Sequence, residues 1–138
     1  MEISHALLAD YAEVVNGKLY LMGGGWDRFF SANVPVQMRV AIVVGVRIGW
    51  EETNKPVPVR INLEDDDGQE LLKIDGQVNV GRPPNLPPGS DQLAQMCANV
   101  AINIPRHGGY RVRITAGGDE DEAAAERRLT FRVEEKRG

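Results

Sequence analysis

Residues 38–48 read MRVAIVVGVRI. Met38, Val40, Ile42, Val44, Val46 and Ile48 fall on one parity, and Arg39, Ala41, Val43, Gly45 and Arg47 on the other. A two-residue period sends successive side chains to opposite faces of a strand, so one face of this segment is wholly apolar and belongs against a dry interior. Downstream, Val57, Val59, Ile61 and Leu63 alternate with Pro58, Arg60, Asn62 and Glu64. Pro58 has no N–H to give a ladder, which predicts an edge strand or a backbone nitrogen that faces outward. Asp65-Asp66-Asp67-Gly68 then reads as a tight turn, with Gly68 free to take positive φ. The chain returns through Leu72, Ile74, Val78 and Val80, with Gly76 expected to mark a bulge.

The same alternation recurs on both sides. Met96, Ala98, Val100, Ile102 and Ile104 share a face within 93–104, opposite Gln95, Cys97, Asn99, Ala101 and Asn103. Tyr110, Val112, Ile114 and Ala116 follow a turn at 105–109, and Leu129, Phe131 and Val133 form the last inward row. Residues 81–89, GRPPNLPPG, are expected to be a stiff, partly polyproline-like loop that exposes Leu86. The acidic stretch 117–126 has room for one helical turn, and residues 135–138 should fray. At the N-terminus, Ile3–Val15 reads as a strand of mixed burial or a short helix. Asn16-Gly17 is a strong hairpin turn, so the simplest reading joins Ile3–Val15 to Lys18–Met22 as a β-hairpin, and Gly23-Gly24-Gly25 should break the sheet before Trp26. The sum is about eight strands in a single domain, residues 1–138: an all-β antiparallel sandwich, jelly-roll or immunoglobulin-like, with at most a short helical turn.

Composition narrows the setting. The net charge of −4 disfavours broad nucleic-acid binding. Cys97 is the single cysteine, which excludes an intramolecular disulfide and suits a reducing compartment. Glu2 and Asp10 do not fit a signal peptide, and the apolar run 40–46 is too short to span a bilayer, so a cytoplasmic protein without membrane contact is expected.

The N-terminal stretch NGKLYLMGGGWD, preceded by LLADYAEV, resembles an uncharacterised bacterial family of small all-β proteins. Pro35 before the valine strand, the DDDG turn, the GRPP loop and the Gly109-Tyr110 pair fit the same likeness, which extends over most of the chain. The resemblance implies a compact β-sandwich and assigns no activity, ligand or catalytic residue.

Candidate sites are few. The triple glycine lacks the helix start and the Lys-Ser/Thr that a phosphate loop needs. Asp65, Asp66 and Asp67 could offer oxygens to calcium, but their spacing is not that of an EF-hand loop, and turn chemistry accounts for them. His5, His107 and Cys97 match no zinc or nucleophile pattern. Arg111 and Arg113 on one strand, with Arg128 and Arg132 on the next, would share a sheet face. They would serve either an anionic partner or an internally neutralised surface. Trp26 and Asp27, Arg82 and Leu86 in the proline loop, and these four arginines are the candidate contact residues. Trp26, Phe29, Phe30 and Trp50 are expected at the core or its edge. No cofactor or metal is expected. The leading expectation is a non-catalytic protein-binding or assembly module, including self-association. A small-molecule or carbohydrate-binding sandwich using Trp26 or Trp50 is the alternative, and a hydrolytic enzyme using Asp27, Cys97 or His107 comes last.

Overall fold

The computed structural model describes residues 1–135. It contains nine strands: β1 (Glu2–Val15), β2 (Lys18–Gly24), β3 (Arg28–Phe30), β4 (Val36–Ile48), β5 (Val57–Asp65), β6 (Glu70–Val78), β7 (Gln92–Ile104), β8 (Gly108–Ala116) and β9 (Ala125–Glu134). The helical element is a single 3-10 turn, Trp50–Glu52, rather than one in the acidic loop, where successive tight turns at Gly118–Asp121 and Asp121–Ala124 stand instead. The strands form two sheets, ordered β2-β1-β4-β7 and β3-β9-β8-β5-β6. Every pairing is antiparallel except β3 with β9. The three-residue β3 is the strand that alternation could not show, because three residues carry no period. The fraying expected at the C-terminus falls, from residue 136 onward, outside the described residues.

The two sheets bury their alternating rows against each other, as parity requires. Met38, Val40, Ile42, Val44, Val46 and Ile48 meet Val59, Ile61, Leu63, Val112, Ile114 and Phe131 in one cluster. Tyr110 stacks on Phe131 (5.4 Å between centroids), and its hydroxyl donates to the Arg106 carbonyl at 2.6 Å. Burial and the neighbouring acids Asp65 and Asp66 raise the Tyr110 phenol, against the opposing effect of its bond to Arg106.

Three local expectations change. Pro58 is on an inner strand, since β5 lies between β8 and β6. It is tolerated there because the β8 ladder begins one residue later, at Val59–Ala116, and Pro58 contributes only its carbonyl, to Gly117 N–H. Gly76 pairs in regular register with Val59, and the irregularity falls at Leu63/Glu64 instead. The glycine makes room for the Met96 methyl, which would lie 3.3 Å from a Cβ at that position. The proline loop folds into two tight turns, Pro83–Leu86 and Pro87–Ser90, which leave Leu86 half-buried.

Candidate interaction surface

The outer face of the four-stranded sheet is covered by the protein's own N-terminal hairpin. β1 pairs with β4 only as far as Ala9–Ala41, while its pairing with β2 runs on to Val15–Lys18. Beyond Ala9 the hairpin leaves the plane of the sheet and lies across β4 and β7. The turn Asn16-Gly17 has φ of 52° and 74°, the left-handed pair that a two-residue hairpin turn demands.

Freed from β4, the backbone edge of β1 needs partners, and side chains of β7 supply them. Asn99 Oδ1 accepts from the Ala12 N–H at 3.2 Å, and Asn99 Nδ2 donates to the Ala12 carbonyl at 2.7 Å. Gln95 Nε2 donates to the Gly17 carbonyl at 3.3 Å, and Cys97, between Gln95 and Asn99 on the same face, packs under the hairpin. Alternate outward residues of one strand thus stand in for a missing neighbouring strand. Beneath them Ala9, Ala12, Ala41 and Val43 are buried in a second small core, closed by Leu7, Leu19 and Cys97. The small side chains are what let the two layers approach. His5 closes the other end of this interface, donating through Nε2 to Gln95 Oε1 at 2.9 Å. Its ring lies over Gly45, where any Cβ would overlap it.

Folding the hairpin onto the sheet turns its other face to solvent. Cross-strand pairs Tyr11–Met22, Glu13–Tyr20 and Val15–Lys18 lie on that face. Tyr11 is 50% exposed, Tyr20 54%, Met22 71% and Val15 44%. β2 is also an edge strand of its sheet. The exposed apolar groups run along the face with Glu13 on the middle rung and Lys18 at the turn end, and a cluster of large exposed apolar side chains marks a contact surface.

None of Tyr11, Tyr20 and Met22 was among the sequence-selected residues. The signal was present as parity: 11, 13 and 15 mirror 22, 20 and 18 about Asn16-Gly17. Parity alone, however, cannot tell which face of a hairpin is inside.

The four selected arginines do converge on the outer face of the five-stranded sheet, and each meets a carboxylate. Arg113 and Arg128 are directly cross-strand, bridged by Glu126 at 3.4 and 3.3 Å. Arg111 binds Glu64 at 2.6 Å. Arg132 and Arg28 share Glu134 at 3.1 and 2.6 Å, which holds that carboxyl below its ordinary range, chiefly through the bond from Arg132.

The remaining candidates have structural partners. Arg82 donates to Thr53 Oγ1 and to the Trp50 carbonyl, both at 2.7 Å, and its guanidinium stacks 3.9 Å above the Trp50 ring. Trp26 is half-buried edge-on to Phe131, with its indole Nε1 buried and without a partner. Asp27 is exposed and contributes its carbonyl to Arg132 N–H. Phe29 is half-buried, whereas Phe30 is 54% exposed, away from the expected core, because β3 sits at the sheet edge.

The acidic turn is locked to the turn before β8. Asp65 Oδ1 accepts from the Asp67 and Gln69 N–H groups, and Arg106 pairs with Asp65 and Asp67 at 3.1 and 2.9 Å. Among the described residues no three His, Cys, Asp or Glu side chains converge as metal ligands would. His107 donates to the Ser31 carbonyl at 2.8 Å, beside a concavity of about 940 Å³ also lined by Phe30, Arg132 and Glu134. Burial, aided by Glu13, raises the Cys97 thiol, the reverse of the activation a nucleophile needs.

Fold and surface together define a two-sheet β-sandwich domain with an apolar hairpin face turned to solvent. The chain belongs to a family of unknown function, DUF6941, matched over residues 4–133. No curated protein gives a significant match. No helix among the described residues is long and apolar enough to cross a membrane.

Proposed function

We propose that this protein is a non-catalytic protein-binding module that presents the outer face of its β1–β2 hairpin to a protein partner. The observation that carries this reading is the exposure of Tyr11, Tyr20 and Met22 side by side on a hairpin whose other face is anchored to the sheet. Tyrosine and methionine are enriched at interfaces because each brings a large contact area, and methionine adapts its shape. Anchoring by Asn99 and Gln95 holds the face in place before binding, which lowers the ordering cost.

Affinity capture from extracts of the protein's own cells, comparing wild type with Tyr20→Ser/Met22→Ser, tests this. A protein retained by wild type and lost by the double variant, with the variant's melting unchanged, supports the reading. Identical retention by both contradicts it. A small-molecule or carbohydrate site is the second reading, favoured by the same two tyrosines as a stacking platform. Saturable quenching of tyrosine emission by a glycan, abolished in Tyr11→Ser/Tyr20→Ser, would select it.

A further inference from the structure

The two sheets have four edges: β2 and β7 in one, β3 and β6 in the other. Sheet edges offer unpaired backbone groups, and proteins guard them with charges, glycine, proline or brevity. β2 carries Lys18 and ends in glycines, β3 has three residues including Arg28, and β6 carries Glu70, Lys73 and Asp75. β7 is different. Its thirteen residues, QLAQMCANVAINI, contain no charge, no glycine and no proline, and nothing pairs with its outer edge among the described residues. Met96 and Val100 point toward the core yet stay only half-buried, because no strand lies beyond them.

We infer that this edge is occupied by the β7 of a second copy of the chain, antiparallel about a two-fold axis at Ala98, giving one continuous eight-stranded sheet. The pattern is self-complementary about that axis. On the core side Ala94 faces Ile102 of the second copy and Met96 faces Val100 of the second copy, small against large at one rung and well matched at the next. On the outer side Leu93 faces Asn103 of the second copy. With no charge in the strand, two identical edges meet without repulsion, and an isologous contact closes at two subunits rather than growing into a fibre. Thirteen residues at about 3.4 Å each give a seam of about 44 Å. With a width of about 10 Å on each copy, roughly 900 Å² is buried in total. That is at the small end of specific interfaces, so dissociation in the micromolar range is expected.

The β7 edge is a different surface from the hairpin face, so dimer formation and partner binding are separable. Sedimentation equilibrium of the full chain from about 1 to 300 µM tests it. The expected result is a monomer–dimer equilibrium that Ala101→Lys/Asn103→Lys weakens at least tenfold, while Tyr20→Ser/Met22→Ser leaves it unchanged. Both lysine sites are exposed, so the fold should tolerate them, and an unchanged melting curve checks this. In a Cys97→Ser background, Leu93→Cys/Asn103→Cys should form intermolecular disulfides on mild oxidation, since the two positions are ten residues apart along one strand and cannot meet within a chain. A monomer throughout the range, a dimer indifferent to the lysines, or a dimer that the cysteines fail to trap would overturn it.

Discussion

Cys97 shows how one side chain can be misjudged from parity alone. Its place opposite the apolar face suggests exposure, yet the folded hairpin covers it, and burial with Glu13 nearby raises its thiol. A raised pKa means less thiolate at neutral pH. Alkylation by iodoacetamide at pH 7.5 should therefore be slower in the folded protein than in urea, and Glu13→Gln should speed the folded reaction; equal rates would contradict this placement. Arg113 and Arg128 carry the opposite lesson. Their sharing of a face was legible because the flanking strands alternate cleanly, and the structure adds Glu126 between them. Glu126→Gln leaves two guanidinium groups opposed. Because the groups are well exposed, the cost should be only about 0.5 kcal/mol. A small fall in Tm that shrinks at high salt is the expected result, and a salt-independent fall would assign the loss to another cause.

Among the elements, the long strands were legible and the short or bent ones were not. β4, β5, β7, β8 and β9 show alternation over nine or more residues, enough to fix type and face. β3 is too short for a period, and its parallel pairing with β9 brings together residues more than a hundred positions apart. The hairpin β1–β2 was legible as a hairpin from Asn16-Gly17, but not its folding across the sheet, which depends on the side chains of Asn99, Cys97 and Gln95 on a remote strand. Asn99→Ala removes both bonds to Ala12 and leaves a partly buried N–H and carbonyl without partners, at a cost of about 2 kcal/mol. Hydrogen exchange should then accelerate at Ala12 and its neighbours while β8 stays protected. Equal protection in variant and wild type would show that the hairpin is held by other contacts.

At the scale of the whole molecule, the features that point outward lie on separate surfaces. The outer face of the five-stranded sheet carries paired charges, the hairpin carries an apolar face, and β7 leaves an unguarded edge. The sandwich was legible because sheets need a dry interface and parity names the residues that supply it. The candidate site was not, because β1 and β2 carry apolar residues on both faces, and only the three-dimensional path decides which of them meet solvent. That Tyr11, Tyr20 and Met22 form a contact surface is tested most directly by hydroxyl-radical footprinting of the protein in its own cell extract and after purification. Oxidation of these three residues is expected to fall several-fold in the extract while exposed Phe30, on the other sheet, is unaffected. Oxidation of all four residues in the same proportion in both samples would contradict it.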